Sequence, residues 1–85
     1  MSVERIGPWV AARKLPDISG RRTSMWEVCS RGKAGALGGV LGRVKWWSPW
    51  RCYAFFPEPA VFEATCLKDI AAFLTKETTG QRRKP

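Results

Sequence analysis

Val40-Leu41-Gly42-Arg43-Val44-Lys45-Trp46-Trp47-Ser48-Pro49-Trp50-Arg51-Cys52-Tyr53-Ala54-Phe55-Phe56 is the stretch on which the fold turns. Up to Trp47 it alternates. Val40, Val44 and Trp46 fall on one side of an extended chain, and Leu41, Arg43, Lys45 and Trp47 on the other. A period of two is that of a half-buried strand, and Gly42 in its middle signals a bulge or a close backbone approach. Ser48-Pro49 breaks the run, because proline has no N–H for a ladder and a Ser-Pro pair starts turns. Residues 50–56 then read as the next strand. A loop with an even number of residues places Tyr53 and Phe55 beside Val44 and Trp46, whereas an odd loop exchanges the faces. The even register is the better one physically. It buries Tyr53 and Phe55 and leaves the smaller Cys52 and Ala54 beside the charges. Pro57-Glu58-Pro59 stops the strand.

Upstream, residues 23–30 alternate in the same way, with Trp26 and Val28 on one face and Met25, Glu27 and Cys29 on the other. A loop rich in glycine and charge, Arg31-Gly32-Lys33-Ala34-Gly35-Ala36 followed by Gly38-Gly39, connects this strand to the next. Downstream, Leu67, Ile70, Ala71 and Leu74 recur at helical spacing and Phe73 widens the stripe. A helix is expected over residues 66–77, capped by Thr65 and ended near Gly80. An antiparallel meander with one oily face needs a cover, and the amphipathic helix supplies it. The expected fold is therefore α+β, a three-stranded antiparallel β-meander packed by one C-terminal α-helix (β-β-β-α). The expected core is Trp26, Val28, Val44, Trp46, Phe55, Leu67, Ile70 and Leu74.

The remaining segments flank this single domain, which is expected over residues 23–79. Residues 1–22 carry Pro8 and Pro16 around Trp9-Val10-Ala11-Ala12; a short helix between the prolines or an edge strand is open to them, and the preferred reading is an irregular N-terminal arm anchored by Trp9 and Val10. Residues 80–85 read as a basic disordered tail. An 85-residue chain leaves little room for a second domain. A domain of this size buries roughly 60% of its unfolded surface. Five Trp, four Phe and one Tyr supply the apolar area that such a core needs.

Charge and composition narrow the function. Fifteen Lys and Arg against seven acids give a formal +8, which attracts polyanions. The absence of His removes the commonest general base and metal ligand. Cys29, Cys52 and Cys66 are odd in number and widely spaced, neither a disulfide framework nor a zinc set. They read as small hydrophobes in a reducing compartment. Asp17, Glu27, Glu58, Glu63, Asp69 and Glu77 are scattered, and the glycines of residues 35–42 lack the Lys-Ser/Thr of a P-loop. No enzyme, cofactor or metal is expected. With no signal-peptide h-region and no apolar run of about 20 residues, the chain is expected to be cytoplasmic and not membrane-bound.

The segment Arg43-Val44-Lys45-Trp46-Trp47-Ser48-Pro49-Trp50-Arg51 interleaves cations with large rings. Cations neutralise phosphates, and exposed rings stack on bases or pack on sugars. The expected binding surface is the outer sheet face, with Arg43, Lys45 and Arg51 toward phosphates. Trp47 and Trp50 offer apolar contact there, and Arg31 and Lys33 extend the footprint. The expected partner is nucleic acid, DNA or RNA. Trp and Arg also dominate protein interfaces, so the alternative is an interaction module for an acidic protein surface, with an uncovered edge strand inviting a homodimer. A nucleotide-sequestering oligomer is the third reading. The bland reading pairs Trp47 with Trp50 across the turn and Arg43 or Lys45 with Glu27 across strands.

Trp26-Glu27-Val28, Leu41-Gly42-Arg43-Val44-Lys45-Trp46, residues 50–57 and residues 66–74 together resemble short uncharacterised proteins of phage and prophage genomes, over about residues 24–75. The resemblance implies a phage setting, such as host takeover or defence evasion. In architecture the expected domain is similar to the AP2 and integrase arm-type DNA binders, which lay a three-stranded sheet in the major groove. The double-stranded-RNA-binding domain also ends in three strands and a helix, but its leading helix and Lys-Lys-x-Ala-Lys signature have no counterpart here.

Overall fold

The computed structural model describes residues 3–16, 22–32 and 37–83. Five strands form one antiparallel sheet in chain order: β1 Val3–Arg5, β2 Val10–Lys14, β3 Trp26–Arg31, β4 Leu37–Trp47 and β5 Cys52–Pro57. One helix, α1 Ala64–Arg82, follows and packs across β5 and β2. The class is α+β with a C-terminal helix on a meander, as expected, but the sheet has five strands instead of three.

The two additional strands come from the segment read as an arm. A hairpin turn carries Pro8, and β2 lies inside the sheet, paired with β1 on one side and β3 on the other. Val10, Ala11 and Ala12 are all buried, so the segment shows no alternation of apolar and polar residues. That is the pattern of a strand covered on both faces. Val10 anchors it as expected, whereas Trp9 stands 58% exposed.

The register between β4 and β5 follows the even case. Four residues, Ser48 to Arg51, separate the strands, and Trp46 faces Tyr53 while Val44 faces Phe55. Ser48–Trp50 forms one turn of 3-10 helix, and Arg51 after it adopts a left-handed conformation at φ 53°. Gly42 meets both sequence-based expectations. The pairing slips by one residue beside it, from Val28 opposite Gly42 to Cys29 opposite Val40. A Cβ at Gly42 would also stand 2.6 Å from the Phe56 carbonyl oxygen. The slip inserts Leu41, which packs against the core, and leaves Val40 half exposed opposite Cys29. The expected faces of Val40 and Leu41 are therefore exchanged, because a bulge adds one residue to one strand only.

The core lies between sheet and helix and is built from Val10, Ala12, Trp26, Val28, Val44, Tyr53, Ile70 and Phe73. Trp26 is its centre, edge-on to Tyr53 at 5.3 Å and to Phe73 at 5.2 Å. Trp46, Phe55 and Leu74 pack at its margin, while Leu67 is 51% exposed and contributes little. The helix turns Cys66, Ile70, Phe73 and Leu74 inward, about one position round from the expected stripe. Burying the large Phe73 against Trp26 sets that rotation.

Helix α1 begins earlier and ends later than its sequence implies. Its cap is Glu63, whose carboxylate accepts the Cys66 N–H at 2.7 Å, and not Thr65. It continues through Gly80 to Arg82, so Gln81 and Arg82 are helical where a disordered tail was expected. The reason is tertiary. Thr78 Oγ1 accepts the Tyr53 N–H at 3.0 Å, and the Tyr53 hydroxyl donates to Gln81 at 3.5 Å. Arg82 donates twice to the Arg51 carbonyl, at 2.7 and 3.0 Å. No helix among the described residues is long and apolar enough to cross a membrane.

Candidate nucleic-acid interface

α1 covers one face of the sheet; the other face is covered over Ala11 and Cys29 and exposed along β4 at Arg43, Lys45 and Trp47. Strand parity decides what that face carries. Across the sheet runs the row Val3, Arg13, Glu27, Arg43, Phe56, each residue directly paired with the next. The adjoining positions of β4 are Lys45, paired with Ala54, and Trp47, paired with Cys52. Arg43 and Lys45 thus share one face, and both are exposed.

Glu27 organises the centre of the row. Its carboxylate is bound by the Arg13 guanidinium and lies 3.6 Å from that of Arg43. The hydrogen bond from Arg13 is the main cause that holds the Glu27 carboxyl below the usual carboxylate range. The same hydrogen bond raises the pKa of Arg13. The Arg43 side chain remains 48% exposed beside this pair. Cys29 lies on the same face but is covered, and burial pushes its thiol up. Cys29, Cys52 and Cys66 are all free thiols.

The β4–β5 end is aromatic and cationic together. Trp47 and Phe56 meet at 5.9 Å, Trp47 and Trp50 at 6.3 Å, both edge to face. The Lys45 ammonium sits 4.5 Å from the centre of the Phe56 ring. Trp47 and Trp50 contact each other across the turn, yet stay 40% and 71% exposed. Between them and β5 opens a cleft of about 280 Å³ lined by Trp47, Trp50, Ala54, Phe55 and Phe56. Arg51 is exposed at the end of the turn, and Arg82 is drawn to it by the bonds to its carbonyl.

Five of the seven expected contact residues, Arg43, Lys45, Trp47, Trp50 and Arg51, come together here. Arg31 does not. It pairs with Leu37 at the opposite end of β4, and its guanidinium donates to the carbonyls of Gly7 and Pro8 at 3.3 and 3.4 Å. There it fastens the β1–β2 turn. Lys33 lies outside the described residues, as do Arg21 and Lys84. Two members of the surface were not expected. Phe56 was readable from strand parity, since it lies opposite Arg43 in the even register. Arg82 carried no such signal, because its position depends on the helix continuing past Gly80.

Among the described residues no three His, Cys, Asp or Glu side chains gather as a metal ion would require. The chain is an α+β domain with one sheet face sealed by its helix and the other open, cationic and aromatic at one end. Comparison with protein-family models, with curated proteins and with solved structures finds no match in any of the three.

Proposed function

We propose that the chain binds nucleic acid through the open face of the sheet at its β4–β5 end. The observation that carries this reading is the continuity of exposed Arg43, Lys45 and Arg51 with the exposed rings of Trp47 and Trp50. The cations supply a sequence-independent attraction for phosphates and the rings supply contact for bases or sugars. The backbone of Arg51 adds support. A left-handed φ costs a residue with a side chain on the order of 1–3 kcal/mol. Glycine or asparagine would relieve that cost, so the arginine is placed there at the expense of local comfort.

Fluorescence anisotropy with labelled DNA and RNA oligonucleotides between 50 and 200 mM salt tests the reading. If Arg43, Lys45, Arg51 and Arg82 all engage phosphates, log affinity should fall with log salt at a slope near −3. The double variant Arg43→Ala/Lys45→Ala should lower both affinity and slope while leaving the unfolding temperature nearly unchanged. A flat salt dependence for every oligonucleotide would falsify the proposal.

The apolar lining of the Trp47–Trp50 cleft favours a second reading, in which the same patch docks a protein partner. Affinity purification with and without nuclease separates the two. A stoichiometric protein that survives nuclease supports the second, and loss of all bound material supports the first.

A further inference from the structure

We propose that the ligand is single-stranded nucleic acid and that one unpaired base seats in the cleft between Trp50 and Phe56. This rests on the nucleic-acid reading above and adds the class of substrate. A duplex shows an approaching sheet its phosphates and groove edges, while the flat faces of its bases are stacked away. Exposed indoles gain most from a π-face, and only an unpaired strand offers one.

The cleft has the size and composition for one base. Its volume of about 280 Å³ corresponds to roughly nine waters at about 30 Å³ each. That is enough space for one nucleobase. Its walls are the rings of Trp47, Trp50 and Phe56 with Ala54 between them, the small residue that leaves the space open. Lys45 sits over the Phe56 wall of the cleft, and exposed Arg51 follows Trp50 at the end of the turn, so a strand seated there has two cations within its reach.

The edge of β5 supplies polar contacts. The Tyr53 N–H points out of the ladder, to Thr78. Inward and outward residues alternate along an antiparallel strand. Phe55, which also lines the cleft, therefore turns its N–H and C=O to the same edge, beyond the stretch that Thr78 occupies. A donor beside an acceptor can meet the Watson–Crick edge of any base, so the site would accept bases without strong preference. Pro57, the next outward residue, has no N–H and ends the row.

The test uses the full chain, a labelled single-stranded 12-mer, the same sequence as a duplex, and a single strand bearing abasic positions. At moderate salt the intact single strand should bind at least tenfold tighter than the duplex or the abasic strand. Trp50→Ala should weaken single-strand binding about tenfold and duplex binding less than twofold, while Trp50→Phe retains most of the affinity. Trp50 projects from a turn, so its removal leaves the core intact, and an unchanged unfolding temperature verifies this. Salt-dependent binding that is equal for duplex and single strand, or insensitive to Trp50→Ala, would overturn base seating and leave the parent reading standing. Absence of salt-dependent binding to any of the three overturns both.

Discussion

Glu27 is the one acid in a row of cations, and its consequences run in two directions. Bound by Arg13 and near Arg43, it fixes two guanidinium groups and cancels part of their charge. Its folded pKa is depressed, so its contribution to stability is present above the unfolded value and is lost as pH falls through the folded one. Glu27→Gln keeps the shape and removes the charge. The variant should lose stability at neutral pH and show a shallower loss on acidification, measured by thermal melts between pH 7 and 3. It should also bind oligonucleotides more tightly. One additional effective cation is worth about five- to eightfold at 0.1 M salt, and weaker binding would show that Glu27 positions the arginines more than it opposes the ligand. Gly42 is the other decisive position. An alanine Cβ would meet the Phe56 carbonyl at 2.6 Å and the Phe55 ring at 2.7 Å. Gly42→Ala should cost about 1–3 kcal/mol through overpacking, lowering the unfolding temperature by roughly 4–8 °C per kcal/mol. An unchanged melt would contradict the close pairing of Gly42 with Pro57. At this scale the sequence was informative wherever volume decided the outcome, as for Tyr53 and Phe55. It was silent on Leu41, because alternation marks a bulge without saying which neighbour the extra residue displaces.

Among the elements, α1 and β5 are joined end to end. Thr78 accepts the outward N–H of Tyr53, Gln81 accepts its hydroxyl, and Arg82 holds the turn carbonyl. The helix therefore closes half of the β5 edge, and Pro57 closes the far end, which opposes the strand-to-strand dimer that a bare edge invites. Thr78→Val keeps the volume and removes the acceptor. It should cost about 1–3 kcal/mol if the Tyr53 N–H is left buried and unpaired. It should also increase concentration-dependent self-association in sedimentation experiments, and a variant as stable and as monodisperse as the parent would show that water serves the amide equally well. The same contacts explain why the helix end was misread. Gly80 is a valid stop signal in isolation, but four bonds beyond or beside it hold the last turn. The first two strands were hidden for a different reason. Val10-Ala11-Ala12 is too short and too evenly apolar to alternate, and two prolines beside it imitate a loop. A strand buried on both faces shows itself only when its neighbours are known.

For the whole molecule, the controlling quantity is the excess of 15 cations over seven acids on a small domain. The open face was legible because its cations alternate with rings in one strand and its turn, a local pattern. That Arg31 is spent on the β1–β2 turn, and that Arg82 arrives from the helix, are facts of topology that no local pattern contains. The charge excess makes a prediction that separates binding from folding. Self-repulsion among like charges opposes the compact state, and added salt screens it. Among the described residues, the Lys76 ion pairs are exposed or half-exposed and pairs of that kind contribute little, which leaves the Arg13–Glu27 pair as the one that salt would weaken least. Raising salt from 20 to 200 mM should therefore leave the unfolding temperature unchanged or raise it, while affinity for a polyanion falls steeply. The divergence should widen on acidification, as protonating the acids leaves the cations unopposed and Glu27 and Glu63 lose their depressed-pKa contributions when pH falls through their folded values. Melts and anisotropy on the same samples decide the matter. If stability and affinity decline together with salt, lost binding reflects unfolding and the open face is not acting as an electrostatic surface; if they move apart, the charge excess serves the ligand at the cost of the fold.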